Sequence, residues 1–70
     1  MKISYEPLFN YIEKRGLSIN SIHKAGVYGA NAAQQIRNNE PVSLRIIAEI
    51  CGYLDVPIEQ VVKVVPNSDD

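Results

Sequence analysis

The chain has little cysteine and no long apolar run, and each shortage removes a class of protein. Its single cysteine, Cys51, cannot close an internal disulfide, and no Cys/His cluster offers a metal site. A reducing cytoplasm is the expected compartment. No apolar stretch approaches the roughly 18 residues that a membrane span needs. The opening, MKISYEPLF, has Glu6 and Pro7 where a secretory leader would carry its apolar core. A nucleophile–base pair, a glycine-rich phosphate loop and a carboxylate dyad are also missing. Enzymatic chemistry therefore has no candidate residues, and no cofactor is implied. There is no internal repeat, low-complexity tract or linker.

What is present suits one small domain. Seventy residues allow a single core, and an apolar share of 46% is enough to build it. Net charge is −1, which by itself argues weakly against a nucleic-acid partner. The charge is unevenly distributed, however. Residues 1–37 carry five Lys/Arg against two Glu, and residues 38–70 carry two against six Asp/Glu. One half is basic and the other acidic, so the whole-chain value hides a phosphate-facing side.

Periodicity and capping residues predict five helices. The first spans residues 5–15, with Tyr5, Leu8, Phe9 and Ile12 at helical spacing, Pro7 in the first turn and Gly16 as the stop. Ser18 is a good N-cap for the second, residues 19–25, and Gly26 ends it. The third spans residues 30–38; Asn39 suits a left-handed exit and Pro41 forbids continuation. Ser43 opens the fourth, residues 44–54, with Leu44, Ile47, Ile50, Cys51 and Leu54 on one face. The fifth begins at Pro57 and carries Ile58, Val61, Val62 and Val65, although its valines also allow a short strand. Residues 1–66 are expected to form the domain and residues 67–70 an acidic disordered tail.

The second and third helices carry the most information. They fall in the stretch LSINSIHKAGVYGANAAQQIRNN, residues 17–39, as two short helices around a tight turn. Ile22, Ala33 and Ile36 face inward, and small Ala25 and Ala33 would let the two helices cross closely. The outward face of the third helix then holds Ala30, Asn31, Gln34, Gln35 and Asn38, with no carboxylate to repel phosphate. Amides both donate and accept, matching the N6/N7 edge of adenine in the major groove. Solvated helices of small proteins more often use Glu and Lys. Arg37 lies at the edge of this face, within reach of a DNA backbone.

These residues resemble the Cro/repressor (XRE-like) helix-turn-helix family. The likeness covers residues 5–65. It is carried by Leu17-Ser18, Ile22, Ala33 and Ile36, and then by Asn39-Glu40-Pro41-Val42-Ser43-Leu44 leading to Ile50-Cys51-Gly52-Tyr53-Leu54-Asp55-Val56. The resemblance implies an all-α, compact five-helix, lambda-repressor-like DNA-binding domain acting as a transcriptional regulator, most simply a repressor, on double-stranded DNA. By position, Ala30, Asn31 and Gln35 would face bases with Gln34 beside them, Ala30 through apolar contact alone. Ser18, Ile19, Arg37, Asn38, Ser43 and Arg45 would contact phosphates, the first two at a helix N-terminus. A homodimer is expected, through the helix at residues 58–65. The alternative is an antitoxin-like or phage partner protein that uses the same fold to bind protein.

The chain departs from the family pattern in the turn. His23 stands where an alanine is usual, and Ile19 where a polar, phosphate-clamping residue is usual. A gapless alignment puts Val27 at the turn glycine, Tyr28 at a small apolar position and Gly29 at the cap. In the other register Gly26 is the turn glycine and one residue is added near Tyr28-Gly29. Valine resists positive φ, which favours the second. Tyr28 would either stack on a DNA sugar or fill the core. Tyr5, Tyr11 and Tyr53 are expected as core or dimer-edge aromatics, Cys51 as packing, and His23 as a structural residue rather than a pH sensor.

Overall fold

A computed structural model describes residues 1–67; residues 68–70, and with them most of the expected acidic tail, lie outside the described residues. The element order is β1 (Lys2–Ser4), α1 (Glu6–Lys14), α2 (Ile19–Lys24), α3 (Ala30–Arg37), α4 (Leu44–Leu54), a single 3-10 turn (Ile58–Gln60) and β2 (Lys63–Val65).

The expected all-α, five-helix architecture is therefore corrected at both ends. Residues 58–65 do not form a helix. After one 3-10 turn the β-branched run extends, and β2 pairs antiparallel with β1 in the register Lys2↔Val65, Ile3↔Val64, Ser4↔Lys63. Valine loses rotamer freedom in a helix and packs well on a pleated surface, and the chain start supplies a partner strand. Lys63 also reaches Glu6, Nζ to Oε1 at 3.3 Å, an exposed pair that contributes about 0–1 kcal/mol.

Four helices form where the capping residues put them. Ser18 accepts from the Ser21 backbone N–H at 3.0 Å while the Ser21 hydroxyl accepts from the Ser18 N–H at 2.8 Å, a reciprocal capping box. Ser43 accepts from the Ile46 N–H at 3.3 Å and opens α4. All four helices also stop in one way. The left-handed residues among those described are Gly16, Gly26, Asn39 and Asp55, one after each helix. After α1, α2 and α3 the next N–H turns back on the last turn: Leu17 to Ile12, Val27 to Ile22 and Glu40 to Gln35, at 2.8, 3.4 and 2.8 Å. That 6→1 bond is the Schellman pattern, and Val56 to Cys51 repeats it after α4 at 3.1 Å. Leu17, Val27 and Val56 then fold back against the core, so the stops of α1, α2 and α4 also contribute burial, while Glu40 after α3 stays exposed.

The core is Tyr5, Leu8 and Ile12 from the first segment, Ile19 and Ile22 of α2, Tyr28, then Ala32, Ala33 and Ile36 of α3, Ile47 and Ile50 of α4, and Val61. Two assignments from periodicity change. Leu44, expected on the apolar face of α4, is 76% exposed, because it occupies the first helical position and projects past the core. Ala25, expected at the crossing of α2 and α3, is exposed, and the adjacent buried pair Ala32-Ala33 provides the close approach.

The two glycines flanking the α2–α3 turn have opposite requirements. Gly26 sits at φ +86°, and Gly29, the residue before α3, at φ −87° and ψ 178° in extended backbone; a Cβ at either meets open space. Steric room being equal, conformation decides. Gly26→Ala should cost about 1–2 kcal/mol. Gly29→Ser should gain about 0.5–1 kcal/mol through a capping oxygen and a stiffer unfolded chain. Urea titration of the two variants checks the pair of signs.

Candidate nucleic-acid interface

The α2–α3 pair is a helix-turn-helix whose turn runs over residues 25–29. Gly26 takes the left-handed position, so the register with Gly26 as turn glycine is the one adopted and Val27 is spared positive φ. Tyr28 fills the core; it is 7% exposed and does not present its ring for stacking on DNA. Its hydroxyl donates to the Ile19 carbonyl at 2.8 Å, and its own carbonyl accepts from His23 Nδ1 at 2.9 Å. Burial pushes the Tyr28 phenol up to about 12, with the Arg37 guanidinium drawing it back down.

At its other end α3 meets a second tyrosine. The Tyr5 N–H donates to Asn39 Oδ1 at 2.9 Å, and the Tyr5 hydroxyl to the Glu40 carbonyl at 2.7 Å. Tyr5 is 1% exposed, and burial pushes its phenol upward, partly offset by backbone hydrogen bonding at Val42. Tyr5 is thus in the core, one of the two places expected of it. The bond to a carbonyl 35 residues away has no sequence signal, because any residue at position 40 would supply that carbonyl.

Between these anchors the outward residues of α3 lie as the periodicity places them. Ala30, Asn31 and Gln34 are exposed, Gln35 is half-buried, and Arg37 and Asn38 are exposed at the C-terminal end. Ala32, Ala33 and Ile36 form the buried side. From Lys14 through Asn39 the chain carries Lys14, Arg15, Lys24 and Arg37 and no Asp or Glu. Arg15 lies over the Tyr11 ring, 4.8 Å from its centroid, which holds that cation against the end of α1.

The remaining candidates fall in two places. Ser18 is exposed and engaged as the N-cap of α2. Ile19 is in the core, so its side chain is not available to a phosphate, and only its backbone N–H is at the helix start. Ser43 and Arg45 line a groove of about 480 Å³ with Gly26, Val27, Ile46 and Glu49, so the start of α4 lies beside the turn. Cys51 is half-buried against the core, where burial raises its thiol pKa; this is packing, as expected. Among the described residues, no His/Cys/Asp/Glu group could hold a metal ion, and no helix is long and apolar enough to cross a membrane.

No protein-family model matches the chain, and no curated protein matches its sequence. The backbone does match a solved structure, that of the transcriptional regulator VanUg in its crystal form II. The TM-score is 0.88 at 23% identity, over 94% of this chain and 88% of that one. The protein thus has the fold of that regulator, with helix-turn-helix and terminal ribbon included in one small unit.

Proposed function

We propose that the protein is a sequence-specific double-stranded DNA-binding transcriptional regulator, working as a repressor in the cytoplasm and reading the major groove with α3. One observation carries this reading: α3 presents a carboxylate-free amide face on a fold shared with a transcriptional regulator. Asn31, Gln34 and Gln35 supply donor–acceptor pairs for base edges, and Ala30 at the helix start allows close approach and apolar contact with a thymine methyl. Arg37, Asn38, Ser43, Arg45 and Ser18 take phosphates, and Ile19 contributes through its backbone N–H alone.

A single module of this kind covers about 600–1,000 Å² on DNA, too little for tight operator binding, so a homodimer on half-sites about 34 Å apart completes the reading. The dimer surface assigned to residues 58–65 has to be recast, since that segment is a 3-10 turn and a strand. Ile58 and Val64 remain 48% and 59% exposed there.

Selection of bound sequences from a random duplex library, followed by titration, tests the function. A consensus half-site should emerge, and equal weak binding to every sequence at physiological salt would defeat the regulator reading. Gln35→Ala should lose about 1–3 kcal/mol of discrimination at one base pair, whereas Arg37→Ala should weaken all sequences alike and lower the salt slope by about one. A protein-interaction module is the second reading, favoured by exposed Leu44, Ile58 and Val64 and by the net charge of −1. It gains if the selection returns no consensus.

A further inference from the structure

We propose that His23 and Tyr28 form a clamp that sets the rotational phase of α3, making them positioning residues for base reading without touching DNA. This rests on α3 being the reading helix.

The turn over residues 25–29 brings a long aromatic residue into a connection whose backbone alone would let α3 shift. Two bonds remove that freedom. The Tyr28 hydroxyl runs back beneath α2 to the Ile19 carbonyl at 2.8 Å, a buried bond that fixes where the Tyr28 Cα sits. His23 then donates from Nδ1 to the Tyr28 carbonyl at 2.9 Å, which fixes the direction of the next peptide. The two rings lie parallel within 7°, centroids 6.4 Å apart. Immediately beyond, the Gly29 carbonyl accepts the Ala33 N–H at 3.1 Å and starts the helix. The clamp is thus two residues from Ala30 and three from Asn31. A slip of one residue turns a helix by roughly 100°, enough to carry Asn31 and Gln35 off the base edges.

The bond to Tyr28 also settles the histidine's tautomer. A carbonyl only accepts, so Nδ1 carries a proton, which holds for the neutral Nδ1–H form and for imidazolium alike.

The test uses the full chain and three variants, with two readouts. Tyr28→Phe and His23→Leu each delete one bond; His23→Asn places an amide donor near the position of Nδ1 and should rescue. In the free protein, amide exchange at Ala33 and Gln34 should quicken about tenfold relative to Ile50 in α4 for the two deletion variants, the equivalent of one hydrogen bond. The ratio of affinity for a selected site over random duplex should fall about tenfold in the same variants with the salt slope unchanged, and recover in His23→Asn. Exchange that quickens equally in α3 and α4, or not at all, overturns the clamp. If the wild type prefers no sequence, the DNA reading fails instead, and the exchange arm alone still decides the clamp. Should Tyr28→Phe not fold, the half-buried His23 pair carries the same comparison.

Discussion

Ile36→Ala should remove about 2–5 kcal/mol of stability, while Gln35→Ala, one residue earlier on the same helix, should change it by no more than about 0.5 kcal/mol. Ile36 is 0% exposed on the buried side of α3, in one core cluster with Ile22, Ala32, Ala33, Ile47 and Ile50. Truncation removes three carbons' worth of transfer energy and leaves a cavity that a short helix between two tyrosine anchors can close only in part. A 70-residue domain holds roughly 4–10 kcal/mol in total, so this single change takes about a fifth or more of it and can leave the chain substantially unfolded at 37 °C. Gln35 projects from the other side and is replaced by a better helix former. Urea melts of the two variants, set beside their binding profiles, should separate cleanly. One loses stability and keeps its base preference wherever it is folded; the other keeps stability and loses preference at one base pair. If Gln35→Ala proved as destabilising as Ile36→Ala, the assignment of inner and outer faces of α3 would be wrong.

Those two faces were legible in the sequence because helix phase is a local property. Ala33 and Ile36 set the inward direction, and the amides follow from 3.6 residues per turn. Helix ends were legible for the same reason: Ser18, Ser43, Gly16, Gly26 and Asn39 each act through bonds to neighbours within five residues. The terminal ribbon was not. Its strands are three residues long, too short to show alternation, and the partner of Ile3 is Val64 at the far end of the chain. Leu44 misled because helical period says which side a residue is on but not whether anything stands opposite the first turn. The site divides similarly. The amide face was readable from residue types, whereas the parts that hold it, Tyr28 on the Ile19 carbonyl and Tyr5 on the Glu40 carbonyl, bond to backbone atoms that no sequence pattern marks.

The buried tyrosines make alkaline stability the second large effect. Tyr28 holds its proton up to about 12 in the folded protein, against about 10 in an unfolded chain. The folded state therefore binds that proton more tightly. Its contribution is fully present below pH 10 and is lost as pH rises from 10 through 12, amounting to about 2–3 kcal/mol by the upper end. Tyr5, also raised by burial, adds in the same direction. Denaturant midpoints measured from pH 8 to 12 should decline gently from about 9, where the Cys51 thiol ionises first in the unfolded chain, and steeply above about 10. Tyr28→Phe sharpens the test. It should lower stability at neutral pH by about 1 kcal/mol through the lost bond to Ile19, yet flatten the decline above pH 10, since phenylalanine has no proton to lose. Arg37→Gln should act oppositely on the limb: without the guanidinium that favours tyrosinate, the Tyr28 pKa rises further and the folded state has still more to lose on ionisation. A decline of equal slope in wild type and Tyr28→Phe would assign the alkaline transition to other groups and leave Tyr28 less buried than its 7% exposure indicates.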